Sequence, residues 1–257
     1  MFITTLPYSK QDFSIKKITF GNMFDVARLL YDHNERGAIQ YLIDHLDIED
    51  LNVIDKFFVL LKARELYVDE TLSINMNGNA AKLNLGSLIT ALNDLPRYHK
   101  QVVCGDITLT FDIPTNIFIT NIYDEIIQEI AFLNNTVDLR KLSKTQREQV
   151  LAQLSPDLMK VIKSYIQSID GTITLFPGTS KLNKIEMNFF SSDTAQIVRT
   201  LYSEYSLINC RELLFYLSKR MSSDSLLNST LADVKFYLDE YTTEMKSNKG
   251  GDLGIPL

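Results

Sequence analysis

Thr71-Leu72-Ser73-Ile74-Asn75-Met76-Asn77-Gly78-Asn79 is where the chain changes period. Apolar and polar residues alternate strictly from Thr71 to Asn77, the pattern of a half-buried strand. Asn77-Gly78 then supplies residues that tolerate the positive φ of a type I′ turn. Ala81-Lys82-Leu83-Asn84-Leu85 resumes the alternation, so the segment reads as a β-hairpin. Immediately upstream, Val53, Phe57, Leu60, Leu61 and Arg64 keep the 3.6-residue period of a helix, with Asp50 placed to cap its start. A helix feeding a hairpin, with no regular βαβ alternation, points to an α+β fold.

Working outward, Asn22–Leu46 reads as two helices separated by the polar break Asp32-His33-Asn34-Glu35-Arg36-Gly37. Downstream, a short helix over Ser87–Leu92 precedes strands at Gln101–Cys104 and Ile107–Asp112, with Gly105-Asp106 as their turn. Pro114 closes this β-rich module, because proline cannot donate to a ladder. Ile122, Ile126, Ile127 and Ile130 predict a helix over Asn121–Leu133. Ser143 caps a helix through Leu151, and Ser155-Pro156-Asp157 opens another. A second small β element is expected at Thr172–Phe176 and Lys184–Phe190, joined at Pro177-Gly178. Helices at Asp193–Tyr205, Cys210–Met221 and Thr230–Met245 close the chain, the last through a Thr230/Asp233 capping box. The expected architecture is mainly helical, with an N-terminal-half hairpin and meander and a small second β element. Residues 1-115 form the first module, 116-246 a mainly helical second one, and 247-257 a flexible tail.

Composition narrows the function classes. The 257 residues carry 26 Lys and Arg against 32 Asp and Glu, a net charge of -6. An acidic chain with scattered basic residues argues against nucleic acid, which needs a basic stripe. The densest basic set, Arg140-Lys141 with Lys144 and Arg147, is offset by Asp138 and Glu148 and reads as a solvated helix face. No run approaches the ~18–20 apolar residues of a membrane span. The start, Met1 to Pro7, lacks the basic-then-apolar run of a signal peptide. Cys104 and Cys210, with no Cys-x-x-Cys, read as apolar core thiols of a reducing compartment.

Catalytic patterns are sparse. His33, His45 and His99 are not at metal-ligand spacing, and each reads as structural or solvated. Nucleophile elbows and phosphate-cradling glycine loops are missing, and neither cysteine has a recognisable nucleophile context. Glu125 and Glu129 lie at i, i+4 on the expected helix, where one face does not make an acid–base pair across a cleft. The aromatic residues are more suggestive: 12 Tyr and 14 Phe, several of them late, among them Phe189, Phe190, Phe215, Tyr237 and Tyr241. Such a stripe is core first, with an exposed subset as a contact surface.

The segment Ile54–Ile74, an apolar helix with Leu61 and Arg64 at its end and then Glu70-Thr71 opening a strand, resembles the baseplate hub subunits and hub-assembly proteins of T-even-like contractile-tailed phages. The run Ile107-Thr108-Leu109-Thr110-Phe111-Asp112-Ile113-Pro114 is similar to the family's strand ending at a proline, and Leu142-Ser143-Lys144-Thr145-Gln146 with the aromatic C-terminal helices follows a similar order. The resemblance spans roughly residues 15 to 245. Relatives place cysteines at the hairpin position of Asn75–Asn79, where this chain has Asn77-Gly78-Asn79, so no zinc site is carried over.

The resemblance implies a non-enzymatic structural or assembly protein without cofactor or metal, whose partners are other phage baseplate hub and tail proteins. It implies work in the host cytoplasm during assembly and a place in the virion's tail baseplate if the protein stays, and it is compatible with a homo-oligomer. Candidate partner-binding residues are Leu72, Ile74 and Met76 on the hairpin and Phe189, Phe190, Tyr237 and Tyr241 in the late aromatic set. Arg64 either caps helix carbonyls or pairs with Glu70. The alternative is a tail-associated hydrolase using Asp or Glu with His33 or His99.

Overall fold

The computed structural model describes residues 2–76, 79–95, 98–118, 125–133, 135–169, 172–175, 185–188, 193–203 and 206–249. Among these, the fold is mixed, with helices predominating and small antiparallel sheets set between them. The extended N-terminus is itself a hairpin: β1 (Phe2–Thr5) pairs with β2 (Asp12–Ile15), Phe2 opposite Ile15.

Three helices follow, each started by a side chain that satisfies the orphan N–H groups of the first turn. For α1 (Phe20–Tyr31) a reciprocal box joins Thr19 and Asn22. In α2 (Glu35–Leu46), Asn34 accepts from the Gly37 amide. For α3 (Val53–Tyr67) the cap is Asn52, in place of the expected Asp50. Apolar residues surround α3 on every side, which marks a helix sunk in the core. Its buried residues run without interruption from Val53 to Leu61.

The hairpin at the period change forms as β3 (Thr71–Met76) and β4 (Asn79–Asn84), with Leu72 opposite Leu83 and Met76 opposite Asn79. Asn77-Gly78 falls outside the described residues. Leu85 opens α4 (Leu85–Asn93), which packs on α3. A four-stranded antiparallel meander follows: β5 (Lys100–Cys104), β6 (Ile107–Phe111), β7 (Ile127–Phe132) and β8 (Asn135–Asp138).

β7 corrects the helix expected over Asn121–Leu133. Thr110 faces Glu129 while Phe111 faces Ile127, so Gln128 is an extra residue bulged out of the ladder. The bulge returns Ile127 to the face that Ile130 occupies, although the two are three residues apart. An alternating strand would put them on opposite faces. The spacing that imitates a helix is therefore a strand with one insertion.

A 3-10 turn at Leu139–Lys141 leads to α5 (Lys144–Ala152) and α6 (Pro156–Ser168), started by Ser143 and Ser155 as the sequence predicts. The second β element is β9 (Thr172–Leu175) against β10 (Ile185–Asn188). The remaining helices are α7 (Asp193–Tyr202), α8 (Leu207–Leu217), α9 (Ser223–Asn228) and α10 (Leu231–Lys249). Of these, α9 is absent from the sequence reading.

Buried apolar residues form two clusters. The larger takes Leu6, Phe20, Leu42, Phe57, Leu60, Leu72 and Leu92 together with Val198, Tyr202, Cys210, Leu226 and Val234. The C-terminal helices thus return to the N-terminal ones. Phe20 N donates to Ser229 O at 2.7 Å, and the Tyr202 hydroxyl donates to Leu60 O at 2.7 Å. The smaller cluster lies between the meander and α6, with Leu109, Phe111, Ile127, Ile130, Leu139, Leu158 and Ile162. Ile169 packs against both. The division expected between 115 and 116 falls between β6 and β7 of one sheet. Among the described residues, no helix is long and apolar enough to cross a membrane.

Candidate functional site

Both hairpin turns of the meander, β5–β6 and β7–β8, lie at the same end of the sheet, because Ile107 pairs with Phe132. Leu133 N reaches Asp106 O at 3.4 Å and ties the two tips together. Large apolar side chains stand in solvent here: Leu133 (71% exposed) and Phe132 (48%) at this end, and Val137 (39%) diagonal to Phe132 on β8, whereas Val103 (71%) pairs with Thr108 and faces the opposite side of the sheet. At the other end the same sheet is closed over by α6, where the Phe111 and Tyr165 rings lie 4.3 Å apart. On the face that α6 packs against, Phe132 and Val137 on the β7–β8 side are thus left in solvent.

The sequence reading missed these residues, because the helix expected over Asn121–Leu133 hid the tip. Its own candidates scatter. Leu72 is buried against Leu83 in the larger core and is not a contact surface. Ile74 and Met76 lie on β3, opposite Ala81 and Asn79. Phe189 and Phe190 fall outside the described residues. Tyr237 is half-buried against the core, and Tyr241 lies on α10. Elsewhere on the C-terminal helices, Ile208 and Phe215 are exposed on α8 and Phe236 on α10. Ile208 and Phe215 are two turns apart and share a face.

The titratable residues are largely engaged in holding elements together. Asp112 at the end of β6 accepts from the Tyr8 hydroxyl at 2.7 Å and meets His99 Nδ1 at 3.1 Å. Burial first, and the neighbouring Asp112 carboxylate second, push the Tyr8 phenol well above its usual range. Asp55, buried in the first turn of α3, accepts from the Tyr8 and Ser9 amides at 2.9 and 3.0 Å. His45 contacts Lys17 O at 2.9 Å and stacks on Tyr41. His33 holds a left-handed conformation, φ 58, in the α1–α2 connection.

Glu125 and Glu129, expected together on one helix face, have separate partners: Arg147 at 3.4 Å and Arg140 at 3.0 Å. The basic set read as a solvated face therefore partly ties onto β7, through Arg140, and onto the residues just before it, through Arg147. Arg140 also grips Asp138 at 2.9 Å, and this hydrogen bond holds the Asp138 carboxyl down to about 2. Arg64 is fully buried, and its Nη2 donates to Thr71 O at 3.0 Å, joining α3 to the start of β3.

Burial raises the Cys210 thiol to about 11, as befits a core residue, and Cys104 is a half-buried free thiol. Among the described residues, no group of three or more His, Cys, Asp or Glu is placed to hold a metal ion. No family model, no curated protein and no solved structure matches this chain.

Proposed function

We propose that the chain is a non-enzymatic structural or assembly protein of a contractile phage tail that binds other baseplate hub subunits. The observation that carries this reading is the exposed apolar end of the meander, Phe132 and Leu133, with Val137 beside Phe132 on the same face. Grouped apolar side chains of this size mark contact surfaces, and burying each gains about 1.5–3 kcal/mol. The resemblance of residues 54–74 and 107–114 to hub proteins supplies the class of partner. The protein works by presenting this end to a neighbouring subunit, excluding water across it and holding the neighbour in an orientation that assembles.

The test mixes purified hub and tail subunits with the chain and follows complex formation by size-exclusion chromatography. The intact protein co-elutes with a hub subunit. A Leu133→Asp/Val137→Asp variant keeps its unfolding midpoint, because exposed substitutions cost about 0.5 kcal/mol or less each, but loses the complex. Unchanged complex formation by the variant refutes the assignment of the surface, and no complex with any hub subunit refutes the function. A hydrolytic reading has the His99–Asp112 pair in its favour. Turnover of cell-wall glycan that vanishes in His99→Ala would replace the binding reading.

A further inference from the structure

Lys56 occupies the second turn of α3 in a run of buried residues, and only 4% of it is exposed. Its Nζ donates to Thr115 O, a neutral acceptor. An ammonium carries three donors and a full charge, both costly to bury, whereas a neutral amine keeps the same hydrogen bond with one N–H. The carboxylates of Glu49 and Asp50 act on the amine through space and oppose the effect of burial. Burial prevails and brings the amine down to about 8. Lys56 also lines a recess of about 200 Å³, with Gln40, Ile43, Glu49, Ile117 and Phe118 in the walls. The Arg36 guanidinium lies 4.8 Å over the Phe118 ring and backs that wall.

We propose that Lys56 is a reactive amine that condenses with small uncharged aldehydes entering this recess. The Nζ lone pair attacks the carbonyl carbon and a C–N bond forms. The carbonyl oxygen leaves as water, carrying two hydrogens from the nitrogen, and a C=N bond remains. No oxidant or reductant is consumed. When the product is protonated, its one N–H keeps the hydrogen bond to Thr115 O. Ile43, Ile117 and Phe118 suit an apolar substituent, while the Glu49 carboxylate disfavours an anionic one. This reactivity is independent of the binding function proposed above.

The test treats the full chain with butanal and cyanoborohydride at about pH 8, the borohydride trapping the imine, and reads each lysine by peptide mass mapping. Exposed Lys141 is the reference in the same sample. About half of an amine titrating near 8 is neutral at that pH, against roughly 0.4% of an ordinary lysine near 10.4. Allowing for the lower nucleophilicity of the weaker base, Lys56 labels at least about ten times faster than Lys141. In about 8 M urea the preference disappears, because the recess is gone. Glyoxylate, an anionic aldehyde, labels Lys56 several-fold more slowly than butanal. Labelling of Lys56 no faster than of Lys141, or a preference that survives in urea, overturns the proposal. Equal rates with glyoxylate overturn the choice of uncharged aldehydes.

Discussion

Replacing Asp55 by Ala removes the acceptor that fastens the β1–β2 connection to α3. Its Oδ1 takes the Tyr8 amide at 2.9 Å, and its Oδ2 takes the Ser9 amide at 3.0 Å and Asn52 Nδ2 at 2.8 Å. A hydrogen bond to an ionised group contributes about 1.5–3 kcal/mol, and a donor stranded by truncation carries its own desolvation cost. The three bonds share one carboxylate, and Tyr8 and Ser9 are only half-buried, so simple addition overstates the sum. A loss of about 3 kcal/mol follows. At roughly 2–4 °C per kcal/mol for a chain of this size, the midpoint falls by roughly 6–12 °C. Asp55→Asn does little better, because its amide NH2 faces the Ser9 N–H and Asn52 Nδ2, both donors. Urea titration followed by circular dichroism gives the free energies, and hydrogen exchange at Tyr8 and Ser9 gives the local readout. Losses below about 0.5 kcal/mol in both variants, with both amides still protected, would refute the reasoning.

Phe111→Ala empties the centre of the smaller cluster and costs about 3–5 kcal/mol, with faster hydrogen exchange in the meander and α6 before α1–α4. Uniform loosening of both clusters would sink this. Leu133 sits at φ 52 and is exposed, so Leu133→Gly relieves left-handed strain and gains about 0.5–1 kcal/mol in urea titration. Conversely Gly105, at φ +61 with open space around it, loses about 1 kcal/mol on change to Ala. The opposite sign at either position rules out the strain argument. Asp138 titrates at about 2 in the fold, against about 3.9 unfolded, so its stabilisation is full above about pH 4 and fades as the pH falls toward 2. Arg140 is more than half exposed, and screening reduces the effect to about 1 kcal/mol. Asp138→Asn removes that part of the acid sensitivity, and stability curves for the two proteins that run parallel between about pH 5 and 2 would count against it.

Three helix starts were legible from a side chain that closes the first turn. Ser143 with Gln146, Ser155 before Pro156, and Thr230 with Asp233 all form their bonds. The hairpin at Thr71–Asn84 was legible because alternation and turn chemistry agree there. The β7 strand was not, because a bulge at Gln128 converts a two-residue repeat into a three-residue one, and no local residue announces an insertion. Asp50 looked like the cap of α3, yet Asn52 lies next to the first helical residue, and its Oδ1 accepts from the Asp55 amide at 2.9 Å. The exposed sheet end was hidden with the β7 strand, and by tertiary structure besides. Whether Phe132 and Val137 are covered depends on how far α6 reaches along the sheet, a tertiary fact that residue types do not encode. Lys56 is similar: its helix position was readable, its recess was not.

The return of the C-terminal helices to α1–α3 has a consequence for synthesis. A ribosome releases residues 20–67 long before Val198, Tyr202 and Val234 exist, so the deeply buried α3 waits without its lid. The meander and α6, whose buried partners all lie between Leu109 and Ile162, have no such delay and can settle first. Nascent chains paused before α7 therefore expose the flanks of Phe57 and Leu60, and they are the species that chaperones or proteases meet.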